Sequence, residues 1–372
     1  VIGHGTAAVA GQAVADGWSR YLRGSNLKIE ARIASELSGF SLQDDLSDML
    51  VIPITQSGTT TDTNRAVAMV RERGASVIAI VNRRQSDITA KSHGVFYTSD
   101  GRDIEMSVAS TKAFYSQIVA GHLLGLGFAQ MLQTLPDQAI ADELRNLEAA
   151  PNAMERVMTR QEDIRRSVAL LARSRKYWAI VGSGPNKAAA DEIRIKLSEL
   201  CYKTISSDII ENKKHIDLSA EPLIIVCAAG NPETVVGDIV KDVAIFRAHK
   251  AGVVVFADDR ERRFDDIADT VIGIPRGAQP LPVILNTVAG HLWGYFAACS
   301  IDEDARFFRE FRSRLNTSLT EPGRRSVSFY EKIADRQFRR LIFDFTASLN
   351  KRRHGDGLSV ASGNTISDMV LL

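Results

Sequence analysis

Thr55-Gln56-Ser57-Gly58-Thr59-Thr60 concentrates hydroxyl groups around one glycine, a composition suited to holding a phosphate. An apolar run, Met49 to Ile54, precedes it and reads as a buried strand; Asp62 to Arg71 follows and reads as an amphipathic helix. In a strand–turn–helix of this kind the free N–H groups of the turn meet the positive end of the helix dipole, and the hydroxyls add donors. No Lys follows the glycine, so the nucleotide loop G-x-x-x-x-G-K-[ST] is excluded. The same residues permit a plainer reading, in which Thr59 or Thr60 simply caps the helix.

The elements that would position such a turn occur twice. Val1-Ile2-Gly3-His4-Gly5-Thr6 runs into a helical stretch from Ala7 to Tyr21. Tyr177 to Asn186, with its own Gly182-Ser183-Gly184, runs into Lys187 to Leu200. Each half then has a second apolar strand, Met49 to Ile54 or Pro222 to Cys227, a helix, and a third strand, Ala75 to Val81 or Gly252 to Ala257. Strands apolar on both faces and alternating with helices predict an α/β fold of parallel sheets covered on both sides. Ligands of such sheets bind at the carboxyl ends of the strands, where the hydroxyl-rich turn and both Gly-X-Gly turns fall. Neither Gly-X-Gly turn has the third glycine or the acidic strand end of a dinucleotide site, so a nicotinamide cofactor is not expected.

Leu132 to Arg173 is charged and helical in pattern, punctuated by Pro136 and Pro151. The boundary is placed near Pro151, giving domains 1–150 and 151–314. A third region, 315–372, begins around Leu315. It reads as a loop at Glu321 to Ser326, one amphipathic helix from Ser328 to Leu349, the basic cluster Lys351-Arg352-Arg353-His354 as a solvated helix end, and a Gly/Ser-rich tail.

Bulk properties bound the function. The 372 residues suffice for two domains with full cores, and 45% hydrophobic with 24% charged residues is a globular composition. Lys+Arg 46 against Asp+Glu 45 gives no reason to expect a nucleic-acid or membrane-surface partner. Cys201, Cys227 and Cys299 are sparse and far apart, which points to reduced thiols and a cytoplasmic home. The seven His match no metal-ligand spacing, so no metal is expected. The chain opens on Val1 inside a strand without an initiator Met, and is read as a piece of a longer polypeptide.

Several stretches together are specific. They are Gly3-His4-Gly5-Thr6, Ile33 to Leu37, Thr55 to Thr60, Asp103-Ile104 with Val108-Ala109-Ser110-Thr111-Lys112-Ala113-Phe114, Gly182 to Asn186, Glu192, Lys196-Leu197-Ser198-Glu199 and Lys214-His215. In order and spacing they resemble the isomerase module of the glutamine–fructose-6-phosphate aminotransferases, over about residues 1–312. That module consists of two sugar-isomerase (SIS) domains, so the resemblance implies two flavodoxin-like αβα sandwiches, here with a C-terminal helical extension. It further implies that Thr55, Gln56, Ser57 and Thr60 hold a sugar phosphate and that Gly5, Thr6, Val108 and Ala109 line the sugar. Glu199 would move a proton between C1 and C2, with Lys196 beside it. His215 would open the sugar ring of the neighbouring subunit's substrate, which implies a homodimer. A hexose 6-phosphate is the implied substrate, and ammonia must come from a glutaminase domain missing from this sequence, from a partner, or from solution.

The residue types suit that chemistry. Aldose–ketose isomerisation needs one carboxylate that takes and returns a carbon-bound proton, and a neutral imidazole can open a ring near pH 7. Read alone, Glu199 is equally a helix-surface residue pairing with Lys196 or Lys203, His215 a member of a solvated run, and Ser110-Thr111 a helix cap.

The chain also departs from the family. His4 and Ala7 replace a Cys and a Ser, Thr55 replaces a Ser, and the approach to His215 and the following Ile216-Asp217 are altered. The family's late Lys, which can condense with the sugar carbonyl, is matched by Glu310 in Phe307-Phe308-Arg309-Glu310. Neither Glu310 nor Arg309 can form an imine. In the second half Ala228 to Thr234 replaces the phosphate loop, so one phosphosugar site per chain is expected. Two functions follow: an isomerase of the aminotransferase type or an amino-sugar-phosphate deaminase, and a phosphosugar sensor without turnover.

Overall fold

The computed structural model describes residues 1–100, 109–215, 220–320 and 328–354. The first half comprises β1 (Ile2–Gly3), α1 (Thr6–Tyr21), β2 (Arg32–Ile33), α2 (Ala34–Phe40), β3 (Leu50–Val51), β4 (Ile54–Thr55), α3 (Thr61–Glu72), β5 (Ser76–Val81), α4 (Asp87–Lys91), β6 (Gly94–Tyr97) and α5 (Lys112–Met131). Three helices follow, α6 (Asp137–Glu148), α7 (Ala150–Met158) and α8 (Gln161–Leu171). The second half has β7 (Tyr177–Gly182), α9 (Asn186–Cys201), β8 (Thr204–Asp208), α10 (Ile210–Lys213), β9 (Leu223–Cys227), α11 (Glu233–Ala248), β10 (Gly252–Asp258), β11 (Thr270–Ile274) and α12 (Leu281–Thr320). Two more helices, α13 (Phe329–Ala334) and α14 (Arg336–His354), close the described chain.

Both halves form parallel sheets, as the buried apolar strands predict. The second runs β8-β7-β9-β10-β11. In the first, β3 and β4 pair with the same side of β5 at the same offset, Leu50 opposite Ser76 and Ile54 opposite Ile80. They are one strand path interrupted at Ile52-Pro53, because Pro53 has no N–H to give to the ladder. The Pro53 carbonyl still accepts from Ile80 N (2.9 Å), and Ile2 beside it donates to Ile52 O (2.9 Å). With β2 beside β1 and β6 on the far side of β5, the strand path has the same order as the second sheet. In each half the strand order reverses beside the Gly-X-Gly turn, which opens a crevice at the carboxyl ends.

A continuous apolar core joins the halves. Ala10, Phe114 and Ile118 from α1 and α5 pack in one cluster with Ile193, Leu197, Trp178, Ala289 and Trp293. α9 and α12 approach closely because Gly290 and Gly294 face Ile193 and Leu197; a Cβ there would lie 2.3 and 2.7 Å from those side chains. Trp178 and Trp293 meet edge to face, 5.2 Å between ring centres.

Two expectations about the C-terminal region are corrected. α12 runs unbroken through Leu315, so no change of local structure marks that position. The stretch read as one helix from Ser328 is two. Ser328 and Glu331 form a capping box, and the Asp335 carboxylate accepts from Gln337 N (2.7 Å) and Phe338 N (3.0 Å), starting a new helix. α14 packs on the end of α12 by stacking Phe345 on Phe311, ring centres 3.6 Å apart. The expected Glu321–Ser326 loop, Ile216-Asp217 and the Gly/Ser-rich tail lie outside the described residues.

Candidate active site

The hydroxyl-rich turn follows β4 and enters α3. Thr55 is buried, and its Oγ1 accepts from Gly58 N (3.2 Å). Gly58 adopts φ +68, and a Cβ there would lie 2.0 Å from Ser86 Oγ, so only glycine fits. The carbonyls of the turn are engaged by the protein: Gln56 O accepts from Arg83 N, Gly58 O from Ile88 N and the Asn64 amide, Thr60 O from the same amide. Lys91 donates in turn to Asn64 Oδ1 (3.3 Å). With these carbonyls engaged by the protein, Gly58 N and Thr59 N bond hydroxyls of the loop itself, and the remaining N–H groups of the turn are those suited to an anion. Thr60 occupies the N-cap of α3 yet makes no side-chain cap bond, and Thr59 N and Thr59 Oγ1 both donate to Ser57 Oγ. The capping alternative is therefore not realised, and the first turn of α3 is left for another acceptor.

The Gly3-His4-Gly5 turn stands beside this loop, because Ile2 pairs with Pro53 at the head of β4. His4 Nε2 reaches 3.9 Å from the Asp62 carboxylate in the first turn of α3. Gly5 is exposed, with φ +54, and Thr6, the next residue, is buried.

Thr6 leads to the second half. Its hydroxyl donates to Glu192 Oε1 (3.1 Å) on α9. Glu192, Lys196 and Glu199 follow each other at helical spacing and share one face. Lys196, 2% exposed, donates to Glu199 Oε2 (2.8 Å) and lies 3.7 Å from Glu192 Oε1. Glu192 is fully buried, while Glu199 is about one-third exposed and therefore the carboxylate open to a ligand. Lys203, the other partner open to Glu199 on sequence grounds, instead donates to the carbonyls of Ala172 and Arg175. The phosphate loop, the Gly3–Thr6 turn and the α9 carboxylates are thus linked through adjacent residues.

Two members of this cluster escaped the sequence reading. His291 Nε2 lies 3.5 Å from Glu192 Oε1, and its Nδ1 is 2.6 Å from the Tyr115 hydroxyl. No local pattern marks either residue, because they come from α12 and α5 and meet only in the tertiary fold. Ala109 is partly buried, and Val108 lies outside the described residues. His215 is exposed at the turn after α10 and shares no described hydrogen bond or ion pair with Glu192, Lys196 or Glu199.

The second crevice offers an anion less than the first. The buried amides of Asn186 and Asn286 donate to Ala229 O, and the Asp258 carboxylate already accepts from Gly230 N (3.0 Å). Pro232 caps α11 and Glu233 occupies its first turn, where a phosphate would meet negative charge. Glu310 lies on α12, about 28 Å of helical rise beyond His291. It lines a cavity of about 380 Å³ with Arg173, Glu303, Arg306, Phe307 and Arg352, while Arg309 pairs with Asp302 (2.7 Å). Among the described residues no helix is long and apolar enough to cross a membrane, and no group of three His, Cys, Asp or Glu side chains is placed to hold a metal ion.

Residues 1–126 match the SIS domain family. The chain is 33% identical over 271 residues to a glutamine–fructose-6-phosphate aminotransferase (isomerising) of Streptomyces coelicolor, covering 71% of this chain and 43% of that protein. The chain is a SIS-domain protein. A second aminotransferase of that name, from Corynebacterium efficiens, is 30% identical over 334 residues, covering 86% of this chain and 50% of that protein. The SIS chain thus spans about half the length of the curated relatives it matches. Its fold is shared with the C-terminal domain of glucosamine-fructose-6-phosphate aminotransferase from Francisella tularensis (TM-score 0.72, 21% identity, 80% of this chain and 82% of that one). A glucosamine-6-phosphate deaminase from Thermotoga maritima has it too (TM-score 0.61, 14% identity, 80% and 84%).

Proposed function

We propose that this chain is the isomerase module of a cytoplasmic, glutamine-dependent hexose-6-phosphate aminotransferase, acting on fructose 6-phosphate. The observation that carries the reading is the Thr6–Glu192 bond, which supports a single site shared by the uncapped loop Thr55–Thr60 and the α9 carboxylates. The loop would bind the phosphate through N–H groups and the hydroxyls of Ser57 and Thr60, with Gln56 beside them. Gly5, Thr6, Val108 and Ala109 would line the sugar. Glu199 would take the proton from C1 of the open-chain ketose and return it to C2 through an enediol, or through an enolamine once ammonia has condensed at C2. Lys196 donates to Glu199 and would hold the carboxylate at the reacting carbons. No cofactor is required by this sequence of proton transfers.

His215 would open the sugar ring in the neighbouring subunit. Its exposure and its separation from the contacts of Glu199 suit a residue that acts on another copy, so the reading includes a homodimer. The ammonia would come from a glutaminase domain or partner, in keeping with the half-length match to the relatives.

The test is proton NMR of fructose 6-phosphate with the protein and ammonium in deuterated water. Deuterium entering C1, abolished in Glu199→Gln while phosphosugar binding persists, is the expected result. A second reading, a phosphosugar sensor, is favoured by Glu310 standing where the related enzymes carry their imine-forming Lys; binding with no exchange in the wild type would establish it. Absence of binding would overturn both.

A further inference from the structure

The buried end of the site contains more machinery than the isomerisation scheme uses. Glu192 Oε1 accepts from the Thr6 hydroxyl and lies 3.7 Å from the Lys196 ammonium and 3.5 Å from His291 Nε2, while Glu192 Oε2 and His291 Nε2 are both buried with no hydrogen-bond partner. The His291 side chain is 8% exposed. In the neutral ring, Nδ1 and the Tyr115 hydroxyl share one proton across 2.6 Å, and two arrangements of that ring are open. If Nδ1 carried the proton, the Nε2 lone pair would face a carboxylate in a dry interior, which is repulsive. If Tyr115 donates to Nδ1, the proton sits on Nε2, 3.5 Å from the Glu192 carboxylate, which is attractive.

The four residues come from both halves. Thr6 and Tyr115 lie on α1 and α5, Glu192 and His291 on α9 and α12. Around them the interface is apolar, built from Phe114, Ile118, Ile193, Leu197 and Ala289. Apolar packing permits small slips, whereas directed hydrogen bonds set a register. Two hydrogen bonds, Thr6–Glu192 and Tyr115–His291, the second extended by the 3.5 Å approach of His291 Nε2 to Glu192 Oε1, therefore bear on how α9 sits on the phosphate-holding half.

We propose that His291, oriented by Tyr115, is a positioning residue that sets Glu192, and with it the Glu199-bearing face of α9, against the phosphate loop. The inference rests on the isomerase reading above. A sugar anchored by its phosphate on one half and deprotonated from the other is sensitive to that register, and a misplacement of about 1 Å can cost on the order of 100-fold in rate. Loss of the Tyr115–His291 strut is expected to act on turnover and leave phosphate affinity alone, because the phosphate would be held by Thr55–Thr60.

The experiment compares wild type, Tyr115→Phe, His291→Phe and His291→Gln by three readouts: the rate of deuterium entry at C1 of fructose 6-phosphate, its affinity by calorimetry, and ring ¹⁵N shifts of labelled histidines. His291→Gln identifies the His291 signal by its loss. The expected results are an Nε2–H ring in the wild type that changes on Tyr115→Phe, and exchange slowed about 10- to 100-fold in Tyr115→Phe and His291→Phe at unchanged affinity. His291→Gln, whose amide can still donate to Glu192, should restore much of the rate. An Nδ1–H ring, equal losses in His291→Gln and His291→Phe, or a loss of affinity in place of rate would each overturn the proposal. A wild type that exchanges nothing but shows the Nε2–H ring would sink the isomerase reading and leave the strut standing.

Discussion

The Thr6 hydroxyl donates to the fully buried Glu192 carboxylate at 3.1 Å, and this bond joins the helix after the first strand of one sheet to the equivalent helix of the other. Thr6 opens the first of these helices and Glu192 lies within the second, so the two halves meet helix to helix at this bond.

Thr6→Val keeps the shape and removes the donor. Because Glu192 is buried and its Oε2 already has no partner, the variant should lose about 1–3 kcal/mol of stability, measurable by urea unfolding. A change within error would show that Lys196 and His291 alone satisfy the carboxylate.

Thr60→Ala separates capping from phosphate binding. A working N-cap replaced by Ala costs about 1 kcal/mol, but Thr60 makes no cap bond here. Thermal stability should therefore hold while affinity for a phosphosugar falls several-fold in titration calorimetry. The opposite pattern, lost stability with intact affinity, would return the loop to a purely structural role.

Acid sensitivity should trace to His122. Burial, the larger cause, and the Arg20 charge lower its pKa from 6.5 to about 3; its ring packs over Gly17 and bonds the Tyr21 hydroxyl (2.7 Å). Below pH 6.5 the unfolded chain gains a proton that the native ring refuses, so stability falls as pH drops toward 3, by up to about 1.4 kcal/mol per pH unit, and is level from this source above 6.5. In His122→Gln the acid limb between pH 6.5 and 4 should flatten, as read from denaturation midpoints across that range.

Subunit complementation tests His215. Glu199→Gln and His215→Ala should each be inactive alone, and co-refolded mixtures should regain activity, because a mixed dimer contains one site with both residues native. Activity that stays absent in the mixture, with dimers present by light scattering, would place His215 in its own subunit's site or outside catalysis.

Much of this architecture was legible beforehand. The apolar strands Tyr177–Gly182, Leu223–Cys227 and Gly252–Asp258 are buried on both faces, and a strand of that kind is written as a continuous apolar run. The strands passed over, β2, β6, β8 and β11, lie at sheet edges, where half-exposed residues such as those of Thr204–Asp208 dilute the pattern. The split at Asp335 was missed because a single side-chain cap outweighed an otherwise helical periodicity.

The sequence by itself determined what is local. A strand, a turn and a helix start are contiguous, so Thr55–Thr60 could be read as an anion loop, and Glu192, Lys196 and Glu199 fall on one helix face by spacing alone. Only the tertiary structure decided that Thr60 leaves its helix uncapped, that Glu199 pairs with Lys196, and that Thr6 and the Tyr115-bonded His291 meet at Glu192. Those contacts join residues far apart in the chain, and their geometry depends on how two separately wound sheets pack. No periodicity encodes it; the close approach at Gly290 and Gly294 and the shared core around Trp293 set it.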